Sequence, residues 1–291
     1  MSQEGEEAQI AFSPAFFPPL SDEEYMYFLD GHVHMEHEDM FLDVVENSLT
    51  NMRLAADSKQ QGQPLRGMLL FAELAGQSWG PVVQNWAVSG KQFTGRSTWQ
   101  IRATSESHAV ICENKQGDQV CCIIGKQVNT AENIELLLFA SKTAYEKQPL
   151  IESVTHALQE DALVIVPWGV GKWLGKRGQL ITSMLVDTEI EGYYLGDNGN
   201  RPWFWKVVSQ FKVAREKQVP LICGSDPLFL PGEVKRVGSY GNIVPKQLNL
   251  EYPLQSLMEA LEGKTVSMVA YGQLQKLYSF FMSQIRLRFA R

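Results

Sequence analysis

Three of the five histidines in the chain lie within six residues, in and just after the segment Asp30-Gly31-His32-Val33-His34. Side chains alternate across a β-strand, so His32 and His34 point to the same face and can approach one ion. Neutral imidazoles bind zinc, iron or manganese, and Asp30 could orient one of them through a hydrogen bond. The alternative interpretation is a solvated helix cap that contains histidines. The pattern favours a site for one divalent metal ion.

A second candidate site is the glycine-rich segment WGVGKWLGKRG at residues 168–178, which follows the apolar run LVIVP. A strand that leads through glycines into a helix presents backbone N–H groups and the positive end of the helix dipole, which suits phosphate or carboxylate. The segment is not a Walker A loop, because its glycine spacing differs and Arg177 stands where Ser or Thr would hold magnesium. The alternative is a glycine-rich turn with solvated lysines. The candidate substrate-binding residues are Trp168, Lys172, Lys176 and Arg177.

Two shorter polar segments follow later strands. The segment 196–202 could offer Asp197 or Asn198, together with Arg201, to a ligand. Gly224-Ser225-Asp226 ends in a carboxylate that could bind metal or take a proton from water. A turn before an N-capped helix explains the first segment equally well, and an Asx-turn before proline explains the second. All these segments follow strands, at the end where βα loops build active sites.

Hydrophobic patterns predict the elements that would position these residues. Strands are expected near residues 28, 69, 124, 137, 165, 193 and 221, and helices at 38–57, 150–159, 175–185, 203–216 and 265–291. Repeated βα units favour a parallel sheet in an α/β fold, a distorted (β/α)7–8 TIM-like barrel. An antiparallel β-hairpin insertion is expected within 76–130. We expect an N-terminal arm at 1–24 and one domain at 25–291, with a doubly wound open sheet as the alternative.

Composition limits the partners. The chain has 291 residues with 26 basic and 33 acidic side chains, a net charge of −7, which disfavours nucleic acid and anionic membranes as partners. Four cysteines without CxxC spacing indicate reduced thiols in a cytoplasmic protein. No signal peptide or membrane-length apolar run is evident. His108 and His156 lack a Gly-x-Ser-x-Gly partner, which argues against a serine hydrolase.

The motif order, HxH after the first strand and Gly-Ser-Asp after a late one, resembles the PHP (polymerase and histidinol phosphatase) superfamily. More loosely, it is similar to the amidohydrolase barrels. The resemblance covers residues 25–235 in order of elements. It implies a distorted barrel with a metal centre that hydrolyses phosphoesters or related bonds.

The chain departs from the PHP pattern at several positions. Glu73 stands where PHP proteins usually show Asp-His, and Gln127 and Glu135 stand nearest the usual middle ligands. Pro167-Trp168 replaces a usual His-Pro, and Pro227 follows Asp226 where a histidine is usual. The residues that still match ligand positions of the PHP pattern could bind one metal ion at most.

The resemblance therefore implies a reduced metal site. Its ligands would be His32, His34, Asp226 and Glu135, with Asp226 or Glu73 handling the proton of the attacking water. The predicted function is a metal-dependent hydrolase of the phosphoesterase type that acts on a phosphorylated or anionic small molecule, with Zn, Mn or Fe as cofactor. The alternative is a catalytically inactive PHP-like protein, without metal, that binds an anionic metabolite or a protein partner.

Overall fold

The computed structural model describes residues 26–56, 62–143, 145–187, 189–205, 208–262, 268–275 and 282. The strands within these ranges are β1 (Tyr27–Val33), β2 (Arg66–Glu73), β3 (Gln92–Thr94), β4 (Thr98–Ala103), β5 (Ala109–Asn114), β6 (Gln119–Asn129), β7 (Glu135–Phe139), β8 (Leu163–Pro167), β9 (Tyr194–Asn198), β10 (Leu221–Gly224), β11 (Tyr240–Val244) and β12 (Val269–Gly272). The α-helices are α1 (Phe41–Ala55), α2 (Gly80–Val88), α3 (Leu150–Gln159), α4 (Lys176–Val186), α5 (Ser209–Glu216) and α6 (Pro253–Glu262). Short 3-10 helices span Glu38–Met40 and Glu233–Arg236.

The strands form one mixed sheet whose main path has the order β10-β9-β8-β7-β6-β2-β1-β11-β12. Strands β1, β2 and β6 are parallel, as are β8, β9 and β10, whereas β7 is antiparallel to both of its neighbours. The hairpin strands β3, β4 and β5 branch from β6. The nine-strand path curls into a nearly closed barrel, because β10 returns to lie beside β1.

Strand alternation separates the core into layers. One apolar cluster takes alternate residues from strands all around the sheet, such as Leu29, Leu70, Leu137 and Ile165, and it lies inside the barrel with Leu257 of α6. The intervening residues pack outward, against α1 and α2 on one side and against α3, α4 and α5 on the other. Full burial of each large aliphatic side chain contributes about 1.5–3 kcal/mol, so this alternation fixes which face each strand turns inward.

The barrel closes at a seam between β1 and β10 that is held by polar side chains. The buried Asp30 carboxylate accepts hydrogen bonds from the main-chain N–H groups of Ser225 (2.8 Å) and Gly238 (2.7 Å) and from the Ser225 hydroxyl (2.5 Å). A side chain at Gly31 would collide with Ile222 across the seam, so glycine permits the close approach. The seam brings the Asp-Gly-His and Gly-Ser-Asp segments together.

Most sequence predictions of the fold are confirmed. Strands lie at all seven predicted positions, α3 and β8 have the predicted bounds, and the antiparallel insertion is present. The predicted parallel arrangement is wrong at β11, which pairs antiparallel with β1, and at β7. A tight turn at 130–134 joins β7 to β6 and forces an antiparallel pair. The predicted C-terminal helix is wrong at Val269–Gly272, which pairs with β11 as a strand.

Other predictions change in extent. The helix expected at 203–216 is wrong at residues 203–205, which form a turn, and α5 begins at Ser209. The elements α2, β11 and α6 were not predicted. The arm at 1–24 and most of 276–291 lie outside the described residues. The observed architecture is a mixed α/β fold with a barrel-shaped sheet. None of the helices in the described part of the chain is long and apolar enough to cross a membrane.

Candidate metal centre

The two histidines of the first strand meet at the carboxyl end of β1. Asp30 pairs with Leu69 and Val33 with Phe71, so three steps along β1 match two along β2, which marks a β-bulge. Val33 packs in the outer apolar layer, which leaves His32 and His34 on the interior side. Their Nε2 atoms lie 2.9 Å apart. The predicted convergence of these two imidazoles is present.

Asp226 brings a carboxylate to the same point from the end of β10. Its Oδ1 lies 3.7 Å from His32 Nε2 and 3.5 Å from His34 Nε2. The backbone of Asp226 is left-handed, with φ of 46°, and its N–H donates to the His32 carbonyl at 2.8 Å. This backbone turn points the side chain back across the seam toward the imidazoles.

Neighbouring groups orient the three side chains. The Ala72 carbonyl lies 2.8 Å from His34 Nδ1, so that nitrogen is the protonated donor and Nε2 keeps its lone pair for a ligand. Gln127 Oε1 lies 3.2 Å from His32 Nε2 and brings a fourth possible ligand atom, an oxygen, to the group. The amides of Asn198 and Asn200 both donate to Asp226 Oδ2.

Asp30 does not orient an imidazole. Its carboxylate bonds to the main chain and to Ser225, as described for the seam, and Ala72 has the orienting role instead. Burial raises the pKa of Asp30 to about 6, against the hydrogen bonds from Ser225, Gly238 and His32. Asp30 thus supports the strands that carry the ligands.

The electrostatics keep the donors in their metal-binding forms. Burial lowers the pKa of His34 to about 4, with a further contribution from the charge of His32, so its imidazole is neutral near pH 7. Burial alone would raise the pKa of Asp226, but His32, His34 and the two asparagine amides hold it below its usual value. A neutral imidazole and an ionised carboxylate are the ligand forms of these side chains.

The arrangement fits one divalent ion. Bonds of roughly 2.0–2.2 Å from one ion to each donor imply donor–donor separations of about 3–3.5 Å. The three separations, 2.9, 3.5 and 3.7 Å, require adjustments of a few tenths of an ångström. Two imidazoles and a carboxylate suit zinc, manganese or iron. Among the described residues, His32, His34 and Asp226 are the group of three His, Cys, Asp or Glu side chains that could hold a metal.

The two glutamates predicted from the sequence, Glu73 and Glu135, are not part of the cluster. Glu73 extends on the outer side of β2, where its carboxylate accepts a hydrogen bond at 2.8 Å from the Gly80 N–H at the start of α2. Glu135 pairs with Lys172. Because Glu135 alternates with Leu136 along β7, it shares the inner face with Leu137, which lies opposite Gln127. Glu135 is therefore near the cluster but is bound to a cation.

The cations of the glycine-rich loop have different surroundings. Lys172 forms the ion pair with Glu135, Arg177 donates to the Gly171 carbonyl at 2.9 Å, and Lys176 is exposed at the start of α4. Trp168 is buried in the outer layer against Trp205. The loop faces the metal centre mainly through its main chain, since the Trp168 carbonyl accepts a hydrogen bond from Asn198.

Asn198 and Arg201 also make internal contacts. The Asn198 amide donates hydrogen bonds to the Trp168 carbonyl and to Asp226 Oδ2. Arg201 forms a buried, two-bonded ion pair with Asp197 (2.7 and 2.6 Å) and donates to the Trp205 carbonyl. Its side chain is 8% exposed, so it has little surface for a ligand.

The mouth of the site carries an aromatic ring. Phe229 lies on the loop after β10, is 36% exposed, and its ring centroid is 5.5 Å from that of His34. Neither Phe229 nor Gln127 was among the candidate site residues. Gln127 could have been included, because its position along β6 matches that of a usual ligand in the family pattern. Phe229 could not be predicted from the sequence, because only the fold brings its ring near His34.

Comparisons with known proteins find a similar fold among solved structures. No protein-family model matches the chain, and no curated protein matches it by sequence. Among solved structures it is similar to PsfC from Pseudomonas syringae PB-5123, with 12% identity and a TM-score of 0.51 over 92% of this chain and 100% of that one. It is also matched to the lesion-specific endonuclease PfuEndoQ from Pyrococcus furiosus, with 14% identity and a TM-score of 0.47 over 86% of this chain and 59% of that one. At 12% identity, the similarity to PsfC is evidence about the fold alone.

Proposed function

We propose that this protein is a metal-dependent hydrolase of the PHP type with one divalent ion, acting on a phosphorylated or otherwise anionic small molecule. The observation that carries the proposal is the meeting of His32, His34 and Asp226, from two strands that adjoin only because the barrel closes. Zinc, manganese or iron would be held by these residues, with Gln127 beside them. The bound ion would supply Lewis acidity and a more acidic water.

Asp226 would serve as a ligand rather than as the base. Its Oδ2 already accepts hydrogen bonds from Asn198 and Asn200, which stabilise the ionised form and leave Oδ1 turned toward the imidazoles. Glu73 is on the wrong face of β2 to receive a proton here. These contacts support a role for Asp226 as a metal ligand rather than as the proton acceptor.

Glu135 is the carboxylate we assign to proton transfer. Glu135 pairs with Asn129, which lies two residues beyond Gln127 on β6. The side chains of Glu135 and Gln127 therefore share the inner face of the sheet. Diagonal neighbours of this kind have Cα or Cβ atoms about 7–8 Å apart, within reach of long side chains. Glu135 would accept the proton once Lys172 turns from it to the substrate.

Lys172 would bind the negative charge of the substrate. Its side chain is 35% exposed and pairs with Glu135, so an incoming anion competes with that carboxylate. Arg201 is committed to Asp197, and Arg177 to the loop itself. A small anion suits this site better than nucleic acid, because the net charge is −7. The four buried free cysteines suit a reducing compartment, the cytoplasm.

A binding protein without catalysis is the second candidate. It is favoured by the ion pair between Glu135 and Lys172, which neutralises the carboxylate that we assign to proton transfer. In that case the site would hold an anionic metabolite, or a protein partner, without hydrolysing it.

Metal analysis and a hydrolysis assay separate these alternatives. Protein purified without chelator is analysed for Zn, Mn and Fe, and a metal-free sample is tested for hydrolysis of small phosphomonoesters before and after each ion is restored. We expect about one ion per chain, and hydrolysis that depends on it and is lost in H34A but kept in H156A, whose imidazole lies on the exposed side of α3. Stoichiometric metal without hydrolysis would favour the binding protein. No bound metal and no thermal shift on metal addition would overturn the metal site.

A further inference from the structure

Asp226 has a backbone conformation that needs support. A left-handed φ of 46° is unfavourable for a residue with a Cβ atom. Two hydrogen bonds hold it, one from the Asp226 N–H to the His32 carbonyl at 2.8 Å and one from Asn200 Nδ2 to the Asp226 carbonyl. Asn200 Nδ2 also lies 3.3 Å from Asp226 Oδ2. One amide nitrogen thus supports both the main chain and the side chain of the carboxylate ligand.

The support depends on which end of the Asn200 amide faces Asp226. If the amide were reversed, its oxygen would face the carbonyl and carboxylate oxygens of Asp226, which cannot donate to it. Asn200 Oδ1 accepts a hydrogen bond from Arg236 Nη1, and a guanidinium can only donate. Arg236 therefore selects the orientation in which the nitrogen faces Asp226.

Arg236 is itself held in place. Its Nη2 donates to the Gly199 carbonyl at 3.2 Å, and its Nη1 pairs with Glu233 Oε2 at 2.8 Å. The side chain is 24% exposed and its contacts are with Gly199, Asn200 and Glu233, not with the metal-binding side chains. Of these contacts, the one with Asn200 leads directly to Asp226, because the Asn200 amide bonds to both the carbonyl and the carboxylate of Asp226.

We propose that Arg236 is a positioning residue for the metal centre, acting through the Asn200 amide to fix the Asp226 carboxylate. The inference rests on the proposed function, since it concerns the same metal centre. Groups that orient metal ligands typically change metal affinity by about 10–100-fold when removed. We expect an effect of that size from a residue that never touches the ion.

Zinc affinity of the full chain, measured by chelator competition, tests the proposal. R236M should weaken zinc binding about 10–100-fold, and R236K, which can still donate to Asn200 Oδ1, should recover most of it. E233Q keeps the Arg236–Asn200 bond and should bind zinc like the wild type. R53M removes an arginine–aspartate pair remote from the cluster and is the matched control. Equal losses in E233Q and R236M would overturn the proposal, because the ion pair with Glu233 would then be the cause.

A double-mutant cycle tests the route through Asn200. N200A should weaken zinc binding about as much as R236M, and the double variant should lose no more than N200A alone. Additive losses would show that Arg236 acts independently and would overturn the inference. If R236M does not fold, N200A carries the test, and affinity within twofold of the wild type would overturn it. A wild type without zinc affinity would instead overturn the proposed function.

Discussion

At the ends of β1 and β10 the polar side chains face one point, whereas in the glycine-rich segment 168–178 two of the cations turn to partners within the protein. The Nε2 atoms of His32 and His34 and the Oδ1 atom of Asp226 lie within 3.7 Å of one another. Lys172 and Arg177 instead bond to Glu135 and to a carbonyl of their own loop. Short side chains on closing strands have their direction set by the backbone, while long cationic side chains reach whatever acceptor is near.

The largest expected effect concerns the seam that brings the ligands together. Asp30→Ala would leave four buried donors without an acceptor, two on Ser225 and one each on Gly238 and His32, at a cost of about 1–3 kcal/mol for each unsatisfied group. We expect the free energy of unfolding in urea to fall by about 3–5 kcal/mol. Arg177→Ala in the loop should cost about 1 kcal/mol.

The exposed Asp43→Ala is the control for this comparison and should change unfolding by less than about 0.5 kcal/mol. Equal losses in the Asp30 and Arg177 variants would contradict the distinction between a rigid seam and an adaptable loop.

The second effect concerns the ligands themselves. Asp226→Ala removes the anionic donor and leaves only the two imidazoles, so metal affinity should fall at least about 100-fold, or about 2.7 kcal/mol. Lys172→Met should leave metal affinity within a few-fold of the wild type, because Lys172 pairs with Glu135 and not with a ligand. Isothermal titration with zinc measures both, and a similar loss in the two variants would argue against the assignment.

The sequence predicted that His32, His34 and Asp226 lie together because strand alternation and chain order can be read directly. His32 and His34 are two residues apart on one strand, so their side chains lie on the same face. The Gly-Ser-Asp segment follows a later strand, so it reaches the same edge of the sheet when the two strands run in the same direction. The left-handed backbone of Asp226 and the bulge in β1 could not be inferred, since both follow from how the barrel closes.

The remaining site residues depended on partners that are distant in sequence. Glu73 had a plausible position, but which face of β2 turns inward is fixed by its register with β1 and β6. Lys172 meets Glu135 from 37 residues away. Arg201 meets Asp197 only four residues away, a pair that the sequence spacing alone could have suggested.

The third effect tests whether the loop still binds anions. Glu135→Gln removes the competitor of Lys172, so inhibition by inorganic phosphate should strengthen by up to about tenfold, near 1.4 kcal/mol, while turnover falls because the proton acceptor is lost. Lys172→Met should weaken phosphate inhibition. Lys176→Met at the exposed start of α4 is the matched control. Unchanged phosphate inhibition in both the Glu135 and Lys172 variants would remove the loop from the site.

The smallest effect concerns Glu73. Glu73→Gln keeps the acceptor for the Gly80 N–H and loses only the charge near the start of α2, so the free energy of unfolding should fall by about 0.3–1 kcal/mol. Metal affinity and turnover should be unchanged. A clear loss of turnover would mean that Glu73 acts in catalysis despite lying on the outer face.

The central claim is that one divalent ion binds between β1 and β10. Crystals of the protein soaked in zinc or manganese, with diffraction recorded at the absorption edge of the metal, test it most directly. We predict one anomalous peak at roughly 2.0–2.2 Å from His32 Nε2, His34 Nε2 and Asp226 Oδ1. No peak at that position, or a peak coordinated by other residues alone, would contradict the account.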